Sequence, residues 1–163
     1  MKKFIWLILI FVGTIANLQA QPLRIKNTVI NPGEKITYDL YYTLSFIWIP
    51  AGTATMNFSL KETLKSKTPV YHASLAGSTV KSFDNLYRVR DTFEVYMDTI
   101  AMLPFYYKEV NHEDDYHMKK EYVIKSSGDD RVDFYGTYTK KDRTWKDTVS
   151  VKNVTVDLVS VLY

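Results

Sequence analysis

The stretch Thr53-Ala54-Thr55-Met56-Asn57-Phe58-Ser59-Leu60 alternates strictly between polar and apolar residues. Successive side chains of a β-strand point to opposite faces, so this pattern predicts a strand with one buried face. The same alternation recurs in three further stretches: Ile36–Tyr42, Tyr71–Leu75 and Val132–Tyr138. The sequence therefore predicts an antiparallel sheet with one apolar and one polar face.

Residues that favour turns separate these alternating runs. They occur at Asn31-Pro32-Gly33, Pro50-Ala51-Gly52, Ser66–Pro69 and Ser126–Asp130, and their residue types are those that β-turns prefer. About eight strands fit between the turns, at the spacing typical of all-β folds. We therefore predict an all-β, mainly antiparallel fold that forms a curved or half-open, barrel-like sheet.

Two segments predict one or two short helices within this fold. Val80–Leu86 is long enough for one helical turn, and Asp157 suits the N-cap of a short helix in Asn153–Tyr163. The sequence stops inside this last, apolar segment, whereas chain ends are usually polar. We expect a single β-rich domain at 21–163 that is truncated at its C-terminus.

The first twenty residues have the pattern of a secretory signal peptide. Lys2 and Lys3 precede an unbroken apolar run, Phe4–Val12, and the small Ala20 suits cleavage before Gln21. The run is shorter than the about 20 apolar residues that span a bilayer, so an uncleaved anchor is the weaker interpretation. We expect a signal peptide at 1–20, export, and no integral membrane segment after cleavage.

The composition excludes several classes of protein. The chain has no cysteine, which excludes disulfides, thiolate nucleophiles and a lipid-modified N-terminal cysteine. Removing Lys2 and Lys3 from the 21 basic residues leaves 19 against 18 acidic residues. These charges are dispersed, unlike the basic stripe of a nucleic-acid-binding protein. We expect no nucleic-acid partner and no cofactor.

A carboxylate interrupts the apolar face of one predicted strand. In Tyr87–Met97, Asp91 shares its face with the apolar side chains of the strand, where it must be paired, hydrogen-bonded or protonated. One interpretation is a ligand-binding site or a general acid in a cavity, with Tyr87 and Arg90 as further ligand-binding candidates. The other, which we favour, is a structural carboxylate that fixes strand register. Arg88 and Arg90 fall on the other face.

Two of the three histidines and three carboxylates lie within Asn111–His117. His112, Asp114 and His117 are candidate ligands for a divalent metal, because imidazole and carboxylate groups are common ligands of such ions. The histidines are five residues apart, so on one continuous strand they would face opposite sides. We favour a polar hairpin loop between Phe105–Val110 and Met118–Ile124.

No motif of a known catalytic machinery stands out. The chain lacks a Gly-x-Ser-x-Gly elbow, a phosphate-binding loop and a dinucleotide fingerprint. Asp91 and Glu94 would point to opposite faces of one strand, so they cannot form the carboxylate pair of a glycoside hydrolase. We expect a protein that is not an enzyme.

Several short motifs, in their order along the chain, resemble the exported bacterial proteins of domain-of-unknown-function family 3108. The motifs are Asn31–Tyr38, Ile49–Ala54, Lys81–Phe83, Tyr87–Glu94, Leu103-Pro104 and Asp157–Ser160. The resemblance implies an antiparallel β-protein of the Gram-negative envelope, located in the periplasm or secreted, and supplies no catalytic residue. The acidic loop at 111–115 and the end of the chain just after Asp157 depart from the family pattern.

Together these features predict an exported, non-enzymatic binding or assembly module. Its partner would be an amphipathic envelope ligand, either lipid or glycan, or an envelope protein, because the 13 tyrosines can cover apolar surface while keeping a hydroxyl in water. The alternative is an envelope-glycan hydrolase that uses Asp91 or the His112–His117 loop. A membrane-spanning sheet is disfavoured because Asp91 would face lipid.

Overall fold

The computed structural model describes residues 31–62, 68–128 and 131–152. Within these ranges the chain forms eight strands: β1 (Lys35–Leu44), β2 (Ile47–Glu62), β3 (Pro69–Thr79), β4 (Arg90–Asp98), β5 (Pro104–Glu113), β6 (Tyr116–Ser126), β7 (Arg131–Lys140) and β8 (Arg143–Lys152). The predicted all-β, antiparallel fold is confirmed.

The strands form one sheet in which each strand pairs antiparallel with the next one along the chain. Within the described ranges β1 and β8 do not pair with each other, so the sheet stays open. Irregularities interrupt the register after Leu40 in β1 and after Tyr96 in β4. Bulges of this kind bend a strand and increase its twist, which agrees with the predicted half-open sheet.

The alternation seen in the sequence sorts side chains onto two faces. We call one the core face; its central row of cross-strand neighbours is Phe58, Ala73, Val95, Tyr107 and Tyr122. We call the other the opposite face; there Glu94 of β4, Lys108 of β5 and Glu121 of β6 lie side by side. Each face therefore carries side chains from every second residue of a strand.

The hydrophobic core lies on the core face of β2, β3 and β4. Its fully buried side chains are Phe58, Ala73, Val95 and Met97. Partly buried Tyr71, Leu75, Phe93 and Tyr107 pack around them. Complete burial of a side chain such as Phe58 stabilises a fold by about 1.5–3 kcal/mol, so these buried side chains contribute strongly to the stability of the sheet.

Gly52 of β2 lies opposite Thr79, the last residue of β3, and lets the two strands approach closely there. A Cβ atom at this position would lie 2.5 Å from the carbonyl oxygen of Ser78, which is too close for any other residue. Beyond it, the Thr79 hydroxyl accepts a hydrogen bond from the backbone N–H of Val89, with an N–O distance of 3.0 Å. These contacts fix the start and end of the connection from β3 to β4.

Val80–Leu86 forms turns rather than a helix. The backbone N–H groups of Asp84 and Tyr87 donate to the carbonyl oxygens of Val80 and Phe83, each at 3.0 Å. These two helix-type bonds do not extend further, and the described ranges contain no helix. The helix predicted in Asn153–Tyr163 and the signal peptide predicted at 1–20 lie outside the described residues.

No helix in the described part of the chain is both long enough and apolar enough to cross a membrane.

The end of the β1–β2 hairpin is the most exposed apolar part of the sheet. Phe46 is 85% exposed and Trp48 is 68% exposed, and the ring of Tyr41 meets that of Trp48 edge-on at 6.1 Å. No charged residue occurs from Leu40 to Leu60. This hairpin end adds little to the core, because its side chains remain in contact with solvent.

Candidate functional site

The core face changes from apolar to polar along β5. Its alternate residues on that face are Tyr107, Glu109, Asn111 and Glu113. Where the polar residues begin, a cavity of about 450 Å³ is lined by Tyr87, Glu109, Asn111, Glu113, Tyr116 and Lys120. We call it the polar cavity. Charged groups on a core face are costly unless they are paired, so its hydrogen bonds decide what it can bind.

Glu109 and Lys120 form an ion pair across β5 and β6. Lys120 Nζ donates to Glu109 Oε1 at 2.8 Å, and the side chain of Glu109 is only 15% exposed. The Tyr107 hydroxyl donates to the other carboxylate oxygen at 3.2 Å. A mostly buried carboxylate stays charged when its oxygens have hydrogen-bond donors. Lys120 and Tyr107 together supply a donor to each carboxylate oxygen of Glu109.

Asn111 and Asp91 join β5 to β4 behind the polar cavity. Asn111 Nδ2 donates to Asp91 Oδ2 at 3.3 Å, and the backbone N–H of His112 donates to Asp91 Oδ1 at 3.0 Å. Both oxygens of Asp91 therefore accept hydrogen bonds from β5. Asp91 lies next to the last rung of the β4–β5 ladder, so its side chain continues the connection between the two strands.

Two acceptor atoms in the polar cavity have no donor among the described residues. Asn111 is 7% exposed, and its hydrogen bond to Asp91 uses the amide nitrogen, which leaves Oδ1. Glu113 accepts from the Tyr87 hydroxyl through Oε2 at 2.7 Å, which leaves Oε1. That hydrogen bond, helped by nearby carboxylates, raises the pKa of Tyr87. The cavity is thus rich in acceptors and negative in potential.

A second, apolar pocket lies toward the other end of the core face. Its volume is about 240 Å³, and most of its lining is apolar: Leu103, Pro104, Phe105, Ile124 and Val132. The remaining lining residues are Asp98 and Ser126. Along β5, Pro104 and Glu109 are separated by roughly 17 Å at the usual strand rise. The two cavities therefore lie within the reach of one elongated molecule.

Tyrosine rings connect the two cavities. The rings of Tyr107 and Tyr122 lie 5.9 Å apart on neighbouring strands, and burial raises the pKa of Tyr122. Tyr138 meets Tyr122 edge-on at 5.7 Å and stacks on Trp145 at 5.5 Å. This aromatic row gives the core face an apolar surface whose hydroxyl groups make hydrogen bonds, as that of Tyr107 does with Glu109.

The predicted ligand-binding residues separate into two places. Tyr87 lines the polar cavity, and Asp91 bonds to Asn111 behind it. Arg90 lies elsewhere, on the opposite face, where its guanidinium pairs with Asp84 at 2.6 Å and lowers the pKa of that carboxyl. The structure thus brings Tyr87 and Asp91 together and places Arg90 apart from them.

The histidines predicted as metal ligands face each other across a hairpin. His112 and His117 are cross-strand partners whose ring centres lie 5.0 Å apart. The predicted hairpin is present, but β5 and β6 extend up to its turn. Asp114 Oδ1 accepts the backbone N–H of Arg88 at 2.9 Å. Among the residues that the structure describes, no three His, Cys, Asp or Glu side chains are placed to hold a metal ion.

The surroundings of the two histidines are mixed in charge. They line a pocket of about 390 Å³ together with Asp84, Arg88, Arg90 and Asp114. The guanidinium groups of Arg88 and Arg90 disfavour a cation here by direct repulsion. The pocket lies on the other side of the hairpin from the polar cavity, because residues 112 and 113 point to opposite faces.

A comparison with protein families gives a match over most of the chain. The family described as Protein of unknown function (DUF3108) matches residues 37–163. The chain belongs to this family. No curated protein and no solved structure matches the chain. The DUF3108 match contains every residue that lines the polar cavity and the apolar pocket.

A second polar cluster of the DUF3108 domain was not predicted from the sequence. On the opposite face, His72 Nε2 lies 3.0 Å from Glu94 Oε2, and Lys108 Nζ donates to Glu94 Oε1 at 3.1 Å. Ser59 Oγ lies 3.4 Å from His72 Nδ1. Burial lowers the pKa of His72 although Glu94 favours its charged form. These groups come from β2, β3, β4 and β5, so only the register could reveal them.

The polar cavity of the DUF3108 domain was also missed, although the sequence held a signal for it. Tyr107, Glu109, Asn111 and Glu113 have the spacing of one strand face. The prediction of a loop at 111–117 hid this pattern, because a loop has no fixed alternation. Because the turn contains only Asp114 and Asp115, β5 continues as far as Glu113.

Proposed function

We propose that this DUF3108 protein is an exported, non-enzymatic binding module of the Gram-negative envelope. Its ligand would be an amphipathic molecule bound along the core face. One observation carries the proposal: the core face holds an apolar pocket and a polar cavity, and tyrosine rings join them. Binding sites for small molecules are typically apolar concavities with a few placed polar groups.

The apolar pocket would hold the hydrocarbon part of the ligand. Leu103, Pro104 and Ile124 offer apolar surface there, and each methylene group transferred from water contributes about 0.8 kcal/mol. Tyr107 and Tyr122 would then contact the middle of the ligand. The ligand would lie with its polar end toward the hydrogen-bonding groups near Glu109.

The proposed location rests on the first twenty residues. Lys2, Lys3, the apolar run that follows and Ala20 have the order of a cleaved secretory signal. After expression of the full chain in a Gram-negative host, the protein should appear in the periplasmic fraction with Gln21 as its first residue. Recovery from the cytoplasm with Met1 intact would contradict the location without testing the ligand.

Blocking the apolar pocket tests ligand binding directly. The Leu103→Asp variant places a charge in the pocket, and the matched control Ile100→Asp places one in the same connection at a side chain 68% exposed. Calorimetric titration with a short amphiphile, octyl glucoside below its micelle concentration, should show affinity at least about tenfold weaker for Leu103→Asp, because the hydrocarbon part of the ligand would have to remove water from a carboxylate.

The control variant should bind as the unmodified protein does. If Leu103→Asp and Ile100→Asp bind equally well, and both melt at the same temperature as the unmodified protein, the apolar pocket does not hold the hydrocarbon part. If the unmodified protein binds no amphiphile in this titration, the proposed function itself is wrong.

A further inference from the structure

The polar cavity keeps two acceptor atoms that no described residue fills. Lys120 and Tyr107 occupy both oxygens of Glu109. The two atoms left without a donor from the described residues are Asn111 Oδ1 and Glu113 Oε1, and both are acceptors. Asn111 is more than nine-tenths buried, where an acceptor without a donor is costly. A ligand that satisfies these two atoms must donate hydrogen bonds to them.

The charges around the polar cavity favour a cation. In its lining Glu109 and Glu113 are negative, whereas Lys120 is the cation and is paired with Glu109. Asp91, behind the cavity, adds a third negative charge. A second ammonium group, that of Lys140, lies 4.7 Å from the ring centre of Tyr116 at the rim. Glu109 is thus neutralised by Lys120, and Glu113 has no cationic partner among the described residues.

We infer that the polar cavity binds the ammonium end of an amphipathic primary amine. This inference rests on the proposed function and adds the chemistry of the polar end. An ammonium group carries three donors and one positive charge, which suits Asn111 Oδ1 and Glu113 Oε1 together. The ring of Tyr87 adds an aromatic face that attracts cations. A sulfate or phosphate would meet carboxylates, and a neutral sugar would leave Glu113 without a counter-charge.

Four amphiphiles with the same eight-carbon chain separate these chemistries. Octylammonium, octyltrimethylammonium, octyl glucoside and octyl sulfate are titrated into the purified protein at pH 7 by calorimetry, each below its micelle concentration. Octylammonium should bind tightest, by on the order of tenfold over the others, because hydrogen bonds to charged groups are the strong ones. The trimethyl derivative keeps the charge but has no N–H to donate.

A matched pair of variants assigns the preference to Glu113. Glu113→Gln keeps an acceptor for the Tyr87 hydroxyl but removes the charge, whereas Asp115→Asn removes one charge from the exposed turn nearby. Glu113→Gln should bind octylammonium about tenfold more weakly and octyl glucoside unchanged. Asp115→Asn should keep the preference for octylammonium.

Three results would overturn the inference. They are octyl sulfate or octyl glucoside binding as tightly as octylammonium, equal binding of octylammonium and octyltrimethylammonium, and equal loss of affinity in Glu113→Gln and Asp115→Asn. Each of these leaves the amphipathic ligand in place and removes only the ammonium end. If none of the four amphiphiles binds, the inference and the proposed function fail together.

Discussion

The two faces of the sheet carry polar clusters of different kinds. On the opposite face, Glu94 of β4 is hydrogen-bonded both to His72 of β3 and to Lys108 of β5. On the core face, Asn111 and Glu113 line a cavity and retain acceptor atoms that no described residue fills. Mutually paired groups stabilise a fold, whereas incompletely paired groups beside a cavity are suited to recognition. Under the proposed function, this difference separates structural residues from ligand-binding residues within one sheet.

The largest effect should come from the hydrophobic core on the core face. Phe58→Ala removes a side chain that is 1% exposed, and we expect it to lower the free energy of unfolding by about 3–5 kcal/mol. Leu60→Ala, two residues along the same face and half exposed, is the control and should cost far less. Urea unfolding measures both, and similar losses would show that Phe58 is not in the core.

Glu94→Gln and Glu113→Gln compare the two faces with the same chemical change. Glu94 accepts from His72 and Lys108, so losing its charge should lower the free energy of unfolding by about 1–2 kcal/mol. Glu113 accepts only from Tyr87 among the described residues, and its change should stay within about 0.5 kcal/mol. Equal losses in chemical denaturation would remove the distinction between the faces.

The opposite face should also make the protein sensitive to acid. Burial lowers the pKa of His72 below its usual 6.5. Burial opposes ionisation of Glu94, yet its hydrogen bonds to His72 and Lys108 lower its pKa below 4.5. Both groups bind protons more readily in the unfolded chain, so stability falls as the pH drops. The loss begins below about pH 6.5 through His72 and continues below about pH 4.5 through Glu94.

Unfolding midpoints in urea between pH 8 and pH 5 test the first of these steps. His72→Gln should flatten the pH dependence in this range, whereas His112→Gln, at an exposed side chain, should leave it as in the unmodified protein. A rise in stability toward pH 5 would contradict the sign of the His72 effect.

Strand alternation was enough to predict the fold, but it did not predict the polar cluster around Glu94 or the polar cavity. Ala54, Met56, Phe58 and Leu60 share a face as their spacing predicts, because strand geometry is a local property. Asp91 was placed correctly on the apolar face for the same reason. The His72–Glu94 contact depends on the pairing of β3 with β4, and register between strands is not visible in one strand. Glu109 and Lys120 are cross-strand partners because β5 and β6 pair without interruption as far as their two-residue turn.

The placement of a bound amphiphile tests the central claim most directly. Backbone amide resonances of the isotope-labelled protein are followed by nuclear magnetic resonance during titration with hexadecylammonium, a primary amine whose longer chain reaches from the polar cavity to the apolar pocket. The account predicts that signals of Tyr107, Asn111, Glu113 and Ile124 shift together, while those of His72 and Glu94 stay unchanged. Shifts confined to the opposite face, or to the exposed hairpin end at Phe46 and Trp48, would contradict it.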